Sequence, residues 1–247
     1  MEEQWLQRHG LAPAQATPVL VARLAVRRRA RLVSHIMLAG LFVMAALVQA
    51  YQMSNPRHSA LVVPAIAAGG MLVTQFLLDR WVRRVDAEAG ATLSRRVTHP
   101  VHPGWREILG RPYAVLAAAT FAGAVALSVS ALAVSAARSA AVVLLTGVCG
   151  VGALAAVQVR HLLARPVVAD DEASLAADVI MRIEDARDTN VPAVLWSLPV
   201  VLLAGTAPGW WMVAAFAFML VGLAGLVAVQ AKLPGSGAVA RRLVGVQ

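Results

Sequence analysis

Apolar residues along this chain come in long blocks separated by polar, strongly basic segments. A helix needs about 20 predominantly apolar residues, rising 1.5 Å each, to cross about 30 Å of hydrocarbon. Six blocks reach or approach that length: 33–52, 59–79, 113–136, 139–159, 191–207 and 209–230, numbered here TM1 to TM6. The pattern predicts an all-α, polytopic membrane protein with six transmembrane helices in three hairpins, 33–79, 113–159 and 191–230. A basic amphipathic arm (1–32), a basic loop (80–112), an acidic helical loop (160–190) and a tail (231–247) complete the chain. TM5 is the shortest block and contains Pro192 and Pro199. The first suits an opening helical turn; the second removes a backbone donor and is expected to kink the helix. The first apolar block follows about 30 polar and basic residues, so TM1 is expected to act as the insertion signal rather than a cleaved leader.

Composition agrees. Hydrophobic residues make up 59% of the 247 residues and charged residues only 14%, with a mean hydropathy of +0.69. A soluble domain carries about 25% charge. The net charge of +9 would suggest nucleic acid in a soluble protein. Here its distribution says otherwise. Of the 22 basic residues, only Arg57 and Arg138 fall outside the segments assigned to one side of the membrane. Cytoplasmic loops collect Lys and Arg, so both ends are expected inside a bacterial inner membrane, and nucleic acid is not an expected partner. Arginine supplies every basic residue except Lys232, and Ala, Val and Gly are abundant, as in proteins from GC-rich bacterial genomes. Tyr51, Trp81, Tyr113, Trp210 and Trp211 fall at block ends, where amphipathic rings favour the headgroup boundary; Trp196, inside TM5, reads as a helix-packing residue.

Two arms carry most of the remaining information. In the first, Thr17 and Pro18 suit a helix start, and Arg23, Arg27 and Arg31 recur every four residues, with Arg28 beside them. Such a basic amphipathic helix is expected to lie in the headgroup plane, with Arg23, Arg27, Arg28 and Arg31 as contacts for anionic lipid. The second arm reverses the sign. Asp170, Asp171, Glu172, Asp178, Glu184, Asp185 and Asp188 face only Arg182 and Arg187. Leu175, Val179 and Ile183 are spaced by four, so the segment reads as an amphipathic helix, with Asp178–Arg182 an i,i+4 pair worth about 0.3–0.5 kcal/mol. Anionic headgroups would repel it. Its apolar face is therefore expected on protein: either another loop of this chain, above all 80–112, or a partner docked on Asp171, Leu175, Asp178, Val179, Arg182 and Ile183.

Motifs of catalysis are sparse. The six blocks hold no Asp, Glu, Lys or Arg in their interiors, whereas ion and proton pathways usually need one. The lone lysine has no glycine-rich approach, so no phosphate loop forms. His99 and His102 are separated by Pro100 and lack a third ligand, and Cys149, the only cysteine, reads as a small packing residue. No catalytic residue, cofactor or metal is assigned. Gln49, Thr74, Gln75, Thr120, Ser128, Ser130 and Ser197 are expected to bond across helices. Ala118, Ala122 and Ala126, with Gly123, and Gly69 with Gly70, are expected to permit close helix approach.

Six spans with both ends inside, a basic elbow before TM1 and a cytoplasmic helix together resemble the permease subunits of ABC-2-type bacterial exporters. The stretch AADVIMRIEDARD is similar to uncharacterised six-span membrane proteins of GC-rich bacteria. These resemblances imply a transport-associated membrane subunit that docks a cytoplasmic ATPase or regulatory protein. The alternatives are a structural or regulatory membrane protein that self-associates or tethers a cytoplasmic factor, and a lipid-modifying enzyme using the acids at 170–188.

Overall fold

The computed structural model describes residues 2–11, 17–54, 61–92, 104–165, 172–188, 190–203, 207 and 209–244. Every regular element among them is helical. In chain order these are α1 (Glu2–Arg8), α2 (Pro18–Ser54), α3 (Val62–Thr92), α4 (Trp105–Ile108), α5 (Arg111–Ala131), α6 (Arg138–Ala164), α7 (Glu172–Ala186), α8 (Asn190–Leu203), α9 (Gly209–Lys232) and α10 (Ser236–Val244). A single 3₁₀ turn, Ser135–Ala137, joins α5 to α6.

Five segments are long and apolar enough to cross a membrane: Pro18–Tyr51, Val62–Ala91, Arg111–Ala131, Ser135–Ala164 and Gly209–Lys232. The expected TM5 differs. Its helix, α8, spans 14 residues, about 21 Å at 1.5 Å per residue, and continues through Pro199. It is nevertheless the centre of the bundle. Leu195, Trp196, Ser197, Leu198, Val201, Leu202 and Leu203 are all buried, and α2, α3, α5, α6 and α9 pack around it. A helix apolar on every side is stable only when surrounded, which explains why the least span-like segment takes the interior.

α2 and α3 overrun the bilayer. Their 37 and 31 residues give about 55 Å and 46 Å of helix, so both project beyond the hydrocarbon at one end. The start of α2 is capped as expected, with Thr17 Oγ1 accepting from the Leu20 amide at 3.3 Å, but the basic arm is not a separate helix in the headgroup plane: it continues unbroken into TM1 within α2. The two helices run antiparallel along each other, joined by Ser34 donating to Gln75 (3.2 Å) and by Arg23 pairing with Asp86 further out.

Helix packing departs from expectation in detail. On α5 the buried stripe is Thr120, Ala124, Ser128 and Ala131, while Ala118, Ala122 and Ala126 face outward. Gly69 and Gly70 have open space where a side chain would be, so neither serves close approach. Cys149 is exposed on α6. Thr74, Ser128 and Ser130 bond to carbonyls of their own helices; Gln75 and Thr120 are the expected polar residues that bond across. Trp196 is buried and donates to Thr120 (3.3 Å). Its indole lies over Gly222 of α9, where a Cβ would come within 2.2 Å of Nε1. Gly222→Ala should therefore cost about 1–3 kcal/mol through overpacking. Thermal unfolding in detergent checks it: the melting temperature should fall clearly for Gly222→Ala and stay near wild type for Gly209→Ala, which has open space.

Candidate functional site

Beyond the bundle, at the end where α2 begins, the projecting helices and three short ones form a second layer. α1 stops at Gly10, whose φ of 73° permits the left-handed turn, with the Leu11 amide closing back on Leu6. Trp5, Leu6 and Leu11 then pack on Leu20, Ala177 and Met181. From the other side, Val239, Ala240 and Leu243 of α10 cover Val179, Ile180 and Ile183. The acidic helix α7 is thus clamped between the two ends of the chain. Leu175, Asp178, Val179, Arg182 and Ile183, expected as a partner-docking face, are each no more than 2% exposed. Asp171 lies outside the described residues. α1 and α10 cover its apolar face, and α4 of the 80–112 loop also touches α7; residues 93–103 of that loop, including His99 and His102, lie outside the described residues.

The centre of this layer is ionic. Asp178 accepts from Arg23 Nη2 (2.5 Å), Arg165 Nη2 (3.2 Å) and Arg182 Nε (2.9 Å). Asp86, on the projecting end of α3, accepts from Arg23 Nε (2.8 Å), both terminal nitrogens of Arg27 (3.0 and 2.7 Å) and Arg165 Nη1. Asp185 takes Arg27 Nε at 2.9 Å. Burial alone would push the Asp178 carboxyl up, but Arg165, Arg23 and Arg182 outweigh it and hold it below the ordinary carboxylate range. Arg23 and Arg27 therefore face protein carboxylates, 3% and 4% exposed, and not the lipid headgroups expected of them. Arg31, half exposed, reaches Glu184 at 3.4 Å; Arg28 is exposed. The acids of α7 that could have served an enzyme, Asp178 and Asp185, are bound to guanidinium groups, and no metal-holding cluster occurs among the described residues.

Asp86 and Arg165 were missed by sequence reasoning. A signal existed: Asp79, Arg83 and Asp86 fall at i, i+4 and i+7, as they would if TM2 continued as a helix into the loop.

Beneath the ionic layer, between α2, α3, α6 and α8, lies a recess of about 110 Å³. Arg27, Asp86 and Asp185 of the ionic layer line it together with Ser34, Gln75, Asp79, Gln158, His161 and Arg165, and Leu72, Phe76, Val151 and Leu154 supply apolar lining. Arg165 Nε and Gln75 Nε2 are buried without an acceptor. A second, mostly apolar hollow of about 470 Å³ separates α5 from α6, bordered by Tyr113, Thr120, Cys149 and Gly152. At the base of α5 the Tyr113 hydroxyl donates to the Asp188 carbonyl (2.8 Å), and Arg187 donates to the carbonyls of Ile108 and Pro234, tying α4 and the α9–α10 link to the end of α7.

α1 is fastened by titratable groups. His9 Nε2 lies 3.2 Å from Glu184, which also accepts from Trp5 Nε1 (3.2 Å). Burial lowers the His9 pKa, but its bond to Glu184 and to the Trp5 carbonyl raises it further, for a net rise above 6.5. Burial raises that of Glu184, but His9, Arg31 and Trp5 bring it below 4.5. The His9 contribution is then complete below about pH 6.5 and is lost as pH climbs through its raised value. The Glu184 contribution is present above about pH 4.5 and is lost as pH falls through its lowered value. Amide exchange of α1, corrected for intrinsic rates, should be slowest between those limits and quicken toward pH 8.5; His9→Gln should flatten the alkaline rise. A pH-independent profile in the wild type would refute this fastening.

No family model, curated protein or solved structure matches this chain.

Proposed function

We propose that the protein is a transport-associated subunit of a bacterial inner membrane, crossing it six times with both ends cytoplasmic. The sixth crossing is α8. Its first turn follows Asp188, which is bonded to Tyr113 at the base of α5. Its last residues share an apolar cluster with Ala131, Ala140 and Trp211, at the opposite ends of α5, α6 and α9. Burial against five neighbours replaces the length that α8 lacks. Six crossings keep the basic arms on one side, in accord with the charge distribution.

One observation carries the transport reading: a recess that runs from the ionic layer, at Arg27, Asp86 and Asp185, into the bundle past Ser34, Gln75, Gln158 and His161. Polar groups at membrane depth are costly and concentrate where a solute or water passes. α7 is closed to a partner by α1 and α10, so a cytoplasmic ATPase or regulatory protein would dock instead on the outer surface of the layer, where Arg241 and Arg242 are exposed.

The test uses single cysteines in a Cys149→Ala background, with a membrane-impermeant maleimide. Gln158→Cys, in the recess, should label in inside-out vesicles and stay unlabelled from the external side. Trp210→Cys, exposed at the start of α9, should do the reverse. A Gln158→Cys that labels from outside, or from neither side, would overturn the reading.

A further inference from the structure

The ionic layer sorts the chain's charges. Asp86, Asp178 and Asp185 turn inward and consume Arg23, Arg27, Arg165 and Arg182. A different set of cations is left outside. Arg28 and Arg29 on α2, Arg80 and Arg84 on α3, Arg111 at the start of α5, Arg160 on α6 and Lys232 ending α9 are all exposed. Only Arg84 has a carboxylate partner, Glu88, in a surface pair; among the described residues the others have none.

These cations lie toward one side of the bundle. Each stands at the end of its helix that carries the ionic layer, next to exposed apolar surface of the same helix. Leu32, Val33 and Ile36 adjoin Arg28 and Arg29; Phe76 and Leu77 adjoin Arg80; Val115 adjoins Arg111; Val157 adjoins Arg160; on α9, Val227 is exposed little more than one turn before Lys232. Two exposed indoles, Trp81 and Trp105, stand at the same boundary, the latter beneath the Arg106 guanidinium at 5.4 Å. On α2, α3, α5, α6 and α9, the exposed surface thus changes from apolar to cationic toward the side that carries the ionic layer.

We propose that this collar binds the phosphate headgroups of anionic phospholipids as a continuous annulus. A ring encircling the bundle at the edge of its apolar surface matches a leaflet, whereas a docked acidic protein would need a patch on the end or on one side. Anionic lipid attracts basic residues near the membrane surface, and the attraction is screened by salt. The indoles seat at the same depth, where one side of the ring is wet and the other apolar. The α2 arginines accordingly divide by direction: Arg28 and Arg29 face lipid, while Arg23 and Arg27, at neighbouring positions, do not.

The test is thermal unfolding of the full-length protein in nanodiscs of phosphatidylglycerol and of phosphatidylcholine, at low and high sodium chloride. The wild type should melt higher in phosphatidylglycerol, and the difference should shrink severalfold at high salt. The variant Arg28→Gln/Arg29→Gln/Arg80→Gln/Arg160→Gln should keep the wild-type melting temperature in phosphatidylcholine and lose most of the gain. Equal wild-type stability in both lipids, or a gain unchanged by salt, overturns the proposal whether or not the variant folds. So does a variant that sheds a bound acidic protein while its lipid response stays intact.

Discussion

Asp178 is the point on which the ionic layer depends. It has no exposed surface, and guanidinium groups from α2, from the end of α6 and from its own helix converge on it. Removing a charge of this kind from water costs several kcal/mol, which only good geometry and several partners offset. Once Asp178 is held, its arginines also reach Asp86, so α2, α3, α6 and α7 meet at one place. The apolar contacts of α1 and α10 then close over α7 from both sides. The layer is therefore polar at its centre and apolar toward its covers, the reverse of an ordinary small domain.

The membrane-embedded part follows another rule. Between spanning helices there is no water to expel, so packing quality and satisfied polar groups hold the bundle together. α8 supplies the packing surface, and a Cβ added at Gly222 would meet Trp196 more closely than one at any other described glycine would meet its neighbour, while the indole bonds to Thr120. The recess under Asp86 is where this rule relaxes. Gln75 and Arg165 keep donors without acceptors there, a cost that a purely structural interior would avoid.

Much of this was legible in the sequence. Apolar block length located the five helices long and apolar enough to cross a membrane, because hydrocarbon thickness sets that length directly; the sixth block folds as the short interior helix α8. Capping chemistry at Thr17 and Pro18 placed the start of α2. The apolar face of α7 and the helix-packing role of Trp196 were also readable. What failed shares one cause. Periodicity tells which residues share a face but not what the face meets. Arg23, Arg27 and Arg31 at four-residue spacing read equally as a lipid-facing row or as one side of an ion-pair ladder, and their partners lie 59 to 158 residues away in sequence. The same blindness moved the packing stripe of α5 from Ala118 and Ala122 to Thr120 and Ala124.

The central claim is that the Arg–Asp contacts hold the layer together, and a double-mutant cycle between Arg23 and Asp178 tests it most directly. Unfolding free energies of wild type, Arg23→Gln, Asp178→Asn and the double variant would be measured in one detergent. Buried partners in one network should show a coupling toward the upper part of the 0.5–3 kcal/mol range of such cycles, with the double variant less damaged than the two singles together imply. Simple additivity of the two substitutions would contradict the account.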